Sequence, residues 1–231
     1  MKKNILIMSL LLAINFSQAI DLSKTESDHY YIMSGNAQVD ISLIVSCEEM
    51  HTCLVEQSIE LFEAIKAKLE VYYLNIFKVR IYGRSFLQNA IEMHYESPGF
   101  NFHHTSQKRS DAFIDHLLSQ IDKEDLNEFI DTYKNFLVSP KKPLVSTAVA
   151  AAATCSLSCF RKIIAHKYFD PTTFLQSQVD PLTNTPSLSL QECIEILEQI
   201  LKSHYADYKV RKQFKALLIA LEEFASSQSI K

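Results

Sequence analysis

His94, Glu96, His103 and His104 crowd one polar stretch of the chain, and Asp111, Asp115 and His116 follow closely. Imidazole and carboxylate side chains in such a mixture are the donors that bind zinc and activate water. A metal-assisted hydrolase built around His94, His103 and His104 is therefore one reading. The usual helical signature HExxH is absent, and a polar loop also collects histidines without a ligand. His116 and His204 fall on apolar helix faces, where a histidine serves the core or its boundary.

The other chemistry-bearing residues point elsewhere. No GxSxG occurs, so a strained nucleophilic serine is not indicated. The five cysteines, Cys47, Cys53, Cys155, Cys159 and Cys193, contain no CxxC pair, which removes the common zinc and redox motifs. Cys155 and Cys159 sit among Ala and Ser, where a thiol is kept protonated. Cys47 and Cys53 are close enough in sequence for a bridge to be considered in an oxidising compartment. Glu48-Glu49, Glu222-Glu223 and the basic stripe Lys209–Lys215 read as solvated helix faces. The expectation is a non-catalytic protein with no metal and no cofactor.

The compartment comes from the N-terminus. Lys2 and Lys3 precede an apolar run, Ile5–Phe16, which closes on Ser17-Gln18-Ala19. This is the pattern of a secretory signal peptide spanning residues 1–19, shorter than the roughly 20 residues of a span. Its removal takes two lysines and moves the formal net charge from −4 to −6. An acidic mature chain argues against nucleic acid as a partner. An exported protein, periplasmic or secreted, is expected.

Among 231 residues there are only three Gly and six Pro, with 47% hydrophobic and 22% charged, which favours helices over a turn-rich sheet. Val39, Ile41 and Leu43 alternate as in a strand, as do Phe77, Val79 and Ile81. Val55, Ile59, Phe62, Ile65 and Leu69 share one face of a helix expected to run to Glu70. Phe86–Tyr95 reads as another helix. The stretch from Glu96 to Ser110 separates an N-terminal, mostly helical region (20–109) from a more regular one (110–231). In the latter, Ser110 is expected to cap a helix carrying Phe113, Leu117, Leu118 and Ile121. Asp122 caps the next, with Leu126, Phe129, Ile130, Tyr133 and Leu137 on its face. Ser189–Glu192 is a capping box ahead of Ile194, Leu197 and Leu201, and the last helix carries Phe214, Leu217, Leu218, Leu221 and Phe224.

One uncharged run, Pro143–Phe160, raises the question of a membrane span. Its Ala, Ser, Thr and Cys content transfers poorly to lipid. A different layout fits. Thr147 opens a helix of small residues; Thr154–Ser158 breaks it; Cys159–Lys167 forms a second helix ending on Ile163-Ile164; and Phe169-Asp170-Pro171 closes it. This resembles an ankyrin repeat, with Ser156 where the family has a glycine in the turn between helices. Asp180–Leu190, with Asn184-Thr185-Pro186, resembles the entry of a following repeat, and Ile121–Leu137 the second half of a preceding one. The resemblance spans roughly residues 110–204.

That resemblance implies a mainly α fold: short helix-turn-helix repeats stacked as an ankyrin-like array, with a less regular N-terminal region. Ile163 and Ile164 would then pack between units, and Lys162 would face solvent. It also implies a protein partner, bound by the concave face and hairpin tips, where Lys141, Lys142, Leu182 and Asn184 fall. No stable membrane span is expected once the signal is removed.

Overall fold

The computed structural model describes residues 30–34, 37–81, 84–96, 106–128, 130–131, 144–154, 156–176, 187–202 and 208–229. The signal segment, His103, His104 and the four partner-binding candidates Lys141, Lys142, Leu182 and Asn184 lie outside them.

The fold is mainly α. In chain order the helices are α1 (Cys47–Glu56), α2 (Ile59–Glu70), α3 (Phe86–Glu92), α4 (Gln107–Gln120), α5 (Lys123–Leu126), α6 (Thr147–Ala153), α7 (Leu157–Ile164), α8 (Thr172–Leu175), α9 (Leu190–Lys202) and α10 (Tyr208–Ser229). Strands β1 (Tyr30–Ser34), β2 (Ala37–Asp40), β3 (Val79–Ile81) and β4 (Arg84–Ser85) form an antiparallel sheet in the order β2-β1-β3-β4. Ile32 lies opposite both Val39 and Val79. A second hairpin pairs β5 (Ile130–Asp131) with β6 (Leu144–Val145), placing Ile130 opposite Val145.

Each hairpin feeds directly into a helix. Ser85, at the end of β4, caps α3 by accepting from the Gln88 amide, and Ser146, just after β6, caps α6 by accepting from the Val149 amide. A serine hydroxyl at this position satisfies an amide that the first helical turn leaves without a partner. The helices then stack in two rows. α3 packs on α6 and α6 on α9; α4 packs on α7 and α7 on α10. Helices next to each other in the chain also pair: α3 meets α4, α6 meets α7 and α9 meets α10.

The core runs through the whole stack as one hydrophobic cluster from Ile41 to Phe224. Phe62 of α2 is its first knot, with ring centroids 5.5 Å from Phe86 of α3 and 6.2 Å from Phe113 of α4, the latter edge-on. Phe160 of α7 is the second, 5.9 Å from Phe174 and 6.4 Å from Phe224 of α10. Edge-to-face rings at these separations add to the burial of their large apolar area. Ala148, Ala151 and Ala152 are buried on α6, where small side chains let α6 lie close to its neighbours. α4 begins at Gln107 and crosses the expected boundary between regions, and the core continues on both sides of it.

Several local expectations are corrected. The helix through Val55–Glu70 is broken at Gln57, whose φ of 48° is left-handed; Ser58 caps the new helix α2. α4 is capped by Ser106 rather than Ser110, and α6, which does open at Thr147, is capped by Ser146 rather than by Thr147. The helix capped by Asp122 stops at Leu126, because the Asn127 side chain takes the Lys123 and Tyr168 carbonyls and the chain turns into β5. A Cys47–Cys53 bridge is not formed. Both residues sit on α1, about 9 Å apart along its axis, beyond the reach of a disulfide. Pro143–Phe160 is no single rod: α6 and α7 are separate helices, and no helix among the described residues is long and apolar enough to cross a membrane.

Candidate functional site

The turn that follows α3, Met93–Glu96, gathers the polar residues of four parts of the fold. It exists because α3 ends at Glu92 and its last amides are closed by short local bonds, Met93 N–H to Asn89 and His94 N–H to Ile91. Gln57, held in its left-handed turn between α1 and α2, donates from Nε2 to the Met93 carbonyl at 2.9 Å. Its Oε1 accepts from the Ser110 hydroxyl of α4, and that oxygen accepts in turn from the Tyr95 amide at 3.1 Å.

His94 is fully buried at the centre. Its Nδ1 lies 3.0 Å from Ser156 Oγ and accepts from the Glu96 amide at 3.3 Å. An N–H donor already aimed at Nδ1 fixes that nitrogen as the acceptor, so the ring proton sits on Nε2 and Ser156 donates. Nε2 makes no hydrogen bond among the described residues; Asp111 Oδ1 stands 3.5 Å away. Burial pushes the His94 pKa below its usual 6.5, against the opposing pull of Glu96 and Asp111.

The charged rim comes from α4 and α7. Glu96 accepts the Ser158 amide at 2.8 Å, and Asp111 accepts the Ser158 hydroxyl at 2.6 Å. Lys162 lies 2.6 Å from Asp115 and 3.4 Å from Asp111. Burial alone would raise the Asp111 carboxyl, but the Ser158 hydroxyl and Lys162 together hold it below its ordinary value. The same pair of carboxylates outweighs the burial of Lys162 and raises its ammonium. Finally, Gln213 of α10 donates to the Glu96 carbonyl at 3.2 Å.

Ser156, His94 and Asp111 follow the order of nucleophile, base and acid, with the two ring nitrogens exchanged relative to a hydrolytic triad. Ser156 is wholly buried, however, and accepts from the Cys159 amide as the cap of α7. In this conformation the arrangement holds two turns together. Burial also pushes the thiols of Cys53, Cys159 and Cys193 up to about 12, which makes them poor nucleophiles.

Of the residues that suggested a metal, the structure brings His94, Glu96 and Asp111 together. It turns His116 away, onto Glu63 at 2.6 Å, and gives Asp115 to Lys162. No cluster of three or more His, Cys, Asp or Glu among the described residues is placed to hold a metal ion. Gln57 and Ser158 belong to the network although no local pattern marks them, and Ser110, expected as a helix cap, joins it from inside α4. Lys162, expected to face solvent alone, is tied to two carboxylates.

A second feature lies on the surface. After α2 the chain exposes Val71 (72%), Tyr72 (59%) and Tyr73 (99%) in succession. Tyr73 has φ 59°, and the Leu74 amide reaches back to the Leu69 carbonyl, the left-handed helix stop usually given to glycine. A side chain with a Cβ costs about 1 kcal/mol there. Comparison of the chain with known protein families, with curated proteins and with solved structures found no match.

Proposed function

We propose that this is an exported, ankyrin-like helical-repeat protein that binds another protein and performs no chemistry of its own. The hairpin-then-helix-pair order, with rows α3–α6–α9 and α4–α7–α10, supports the repeat reading. Repeat stacks present extended surfaces and turn tips to partners.

The observation that carries the binding role is the Val71–Tyr73 turn. Tyr73 occupies a backbone conformation that disfavours it, and no burial within the chain offsets that cost. Exposed tyrosines are among the residues that anchor protein interfaces when a partner covers them. Local strain of this kind concentrates where a side chain is needed for contact.

The test is site-specific photo-crosslinking. A benzophenone amino acid replaces Tyr73 in one full-length chain and Ala64, exposed in the middle of α2, in another. After irradiation of cells making the protein, a discrete adduct with one protein at position 73 and none at 64 is expected. Equal adducts at both positions, or none at 73, overturn the assignment.

A further inference from the structure

We propose that His94 is a proton-operated lock on the joint between the α3/α4 and α6/α7 helix pairs, closed while its ring is neutral and released when the ring takes up a second proton. The lock is geometric. Nδ1 accepts from the Glu96 amide and from Ser156 at the same time. A proton on Nδ1 sets one N–H donor against another. The Ser156 hydroxyl can turn round to accept, since it has two lone pairs, but the Glu96 amide has no such freedom.

Among the described residues, the carboxylates near the ring are already engaged elsewhere, including Asp111, whose Oδ1 stands 3.5 Å from Nε2. On its own turn, Glu96 is engaged with the Ser158 amide. From α4, Asp111 is shared by the Ser158 hydroxyl and Lys162, and Asp115 holds Lys162 from the far side. From α7 come Lys162, itself a cation, and the buried thiol of Cys159. α6, packed on α3, carries no ionisable side chain, and α10 presents the neutral Gln213. The ring is fully enclosed, so charging it there is costly.

Release therefore spreads along the contacts of the turn. Moving the Glu96 amide away draws its carboxylate from the Ser158 amide at the start of α7 and its carbonyl from Gln213 of α10. Since burial lowers the pKa of the closed state, the open state binds the proton more tightly. The closed population is then full above about pH 6.5 and declines as the pH falls below it.

Amide hydrogen exchange of the full chain tests this, with rates corrected for the intrinsic effect of pH. Between about pH 7.5 and about pH 5, protection at Glu96, Ser158 and Cys159 should fall about tenfold or more, because one proton changes an equilibrium by up to tenfold per pH unit. Protection within α2 should stay unchanged. His94→Asn, which retains an acceptor but does not titrate, should lose less than about twofold. Equal protection at both pH values in the natural chain, or the same loss in His94→Asn, overturns the proposal. If that variant does not fold, nitrogen NMR of the natural chain decides. A neutral ring protonated on Nε2 at about pH 7.5 is expected, and a ring protonated on Nδ1 there contradicts the lock.

Discussion

Ser156 Oγ lies 3.0 Å from His94 Nδ1, joining residues 62 positions apart in the chain. The same oxygen caps α7, with Ser156 in an extended conformation, φ −84° and ψ 91°. Because this is not a left-handed turn, glycine brings no relief there. Ser156→Gly should destabilise the fold by about 1–3 kcal/mol, the cost of leaving a buried polar partner unsatisfied together with the lost cap. Urea unfolding followed by far-UV circular dichroism measures it. An unchanged midpoint would mean that the hydroxyl holds nothing.

Within α7 the two isoleucines should separate. Ile163 is fully buried, whereas Ile164 is only partly so. Ile163→Ala should cost about 2–5 kcal/mol and Ile164→Ala clearly less. Lys162→Ala should cost up to about 1 kcal/mol, since its ion pairs are partly solvated. The same unfolding experiment ranks the three, and a larger loss at Ile164 than at Ile163 would contradict the packing.

Tyr73→Gly should raise stability by about 1 kcal/mol, because glycine relieves the left-handed residue and little buried area is lost. The same variant should lose whatever partner the turn anchors. A lower melting temperature would show that Tyr73 serves the fold instead.

Two ionisable groups set opposite limits on pH. The Asp111 carboxyl is held below its usual value by the Ser158 hydroxyl and Lys162 against the effect of burial. Its contribution is present above about pH 4 and is lost as the pH falls through the folded value. Lys162 is raised by Asp115 and Asp111, again against burial, so its contribution is present below about pH 10.5 and is lost as the pH rises through its folded value. Asp111→Asn should therefore flatten the acid limb of a melting-temperature profile and move the alkaline limb down. Identical profiles would show that neither contact matters.

Much of the helical core was legible because its cause is local. Phe113, Leu117 and Leu118 are buried on α4 and Phe214, Leu217 and Leu221 on α10, as their helical spacing requires. Ser189 and Glu192 make the reciprocal bonds of a capping box, and Asp122 accepts from Asp125. The break at Gln57 was not legible. A left-handed turn normally calls for Gly or Asn, and here it is held by tertiary bonds to Met93 and Ser110. His94, Glu96 and Asp111 stood out by residue type, but the serines that complete their network lie far along the chain. The role of Ser156 is hidden for the same reason. A local sequence pattern suggests a backbone conformation, while a buried histidine from a distant part of the chain decides what the side chain does.

The Met93–Glu96 turn ties α3 to the start of α7 through the contact between His94 and Ser156. A double-mutant cycle between His94→Ala and Ser156→Ala, read by urea unfolding of the full chain, measures that coupling directly. An interaction energy of about 1–3 kcal/mol between the two positions is expected. Losses that simply add, to within about 0.5 kcal/mol, would contradict it.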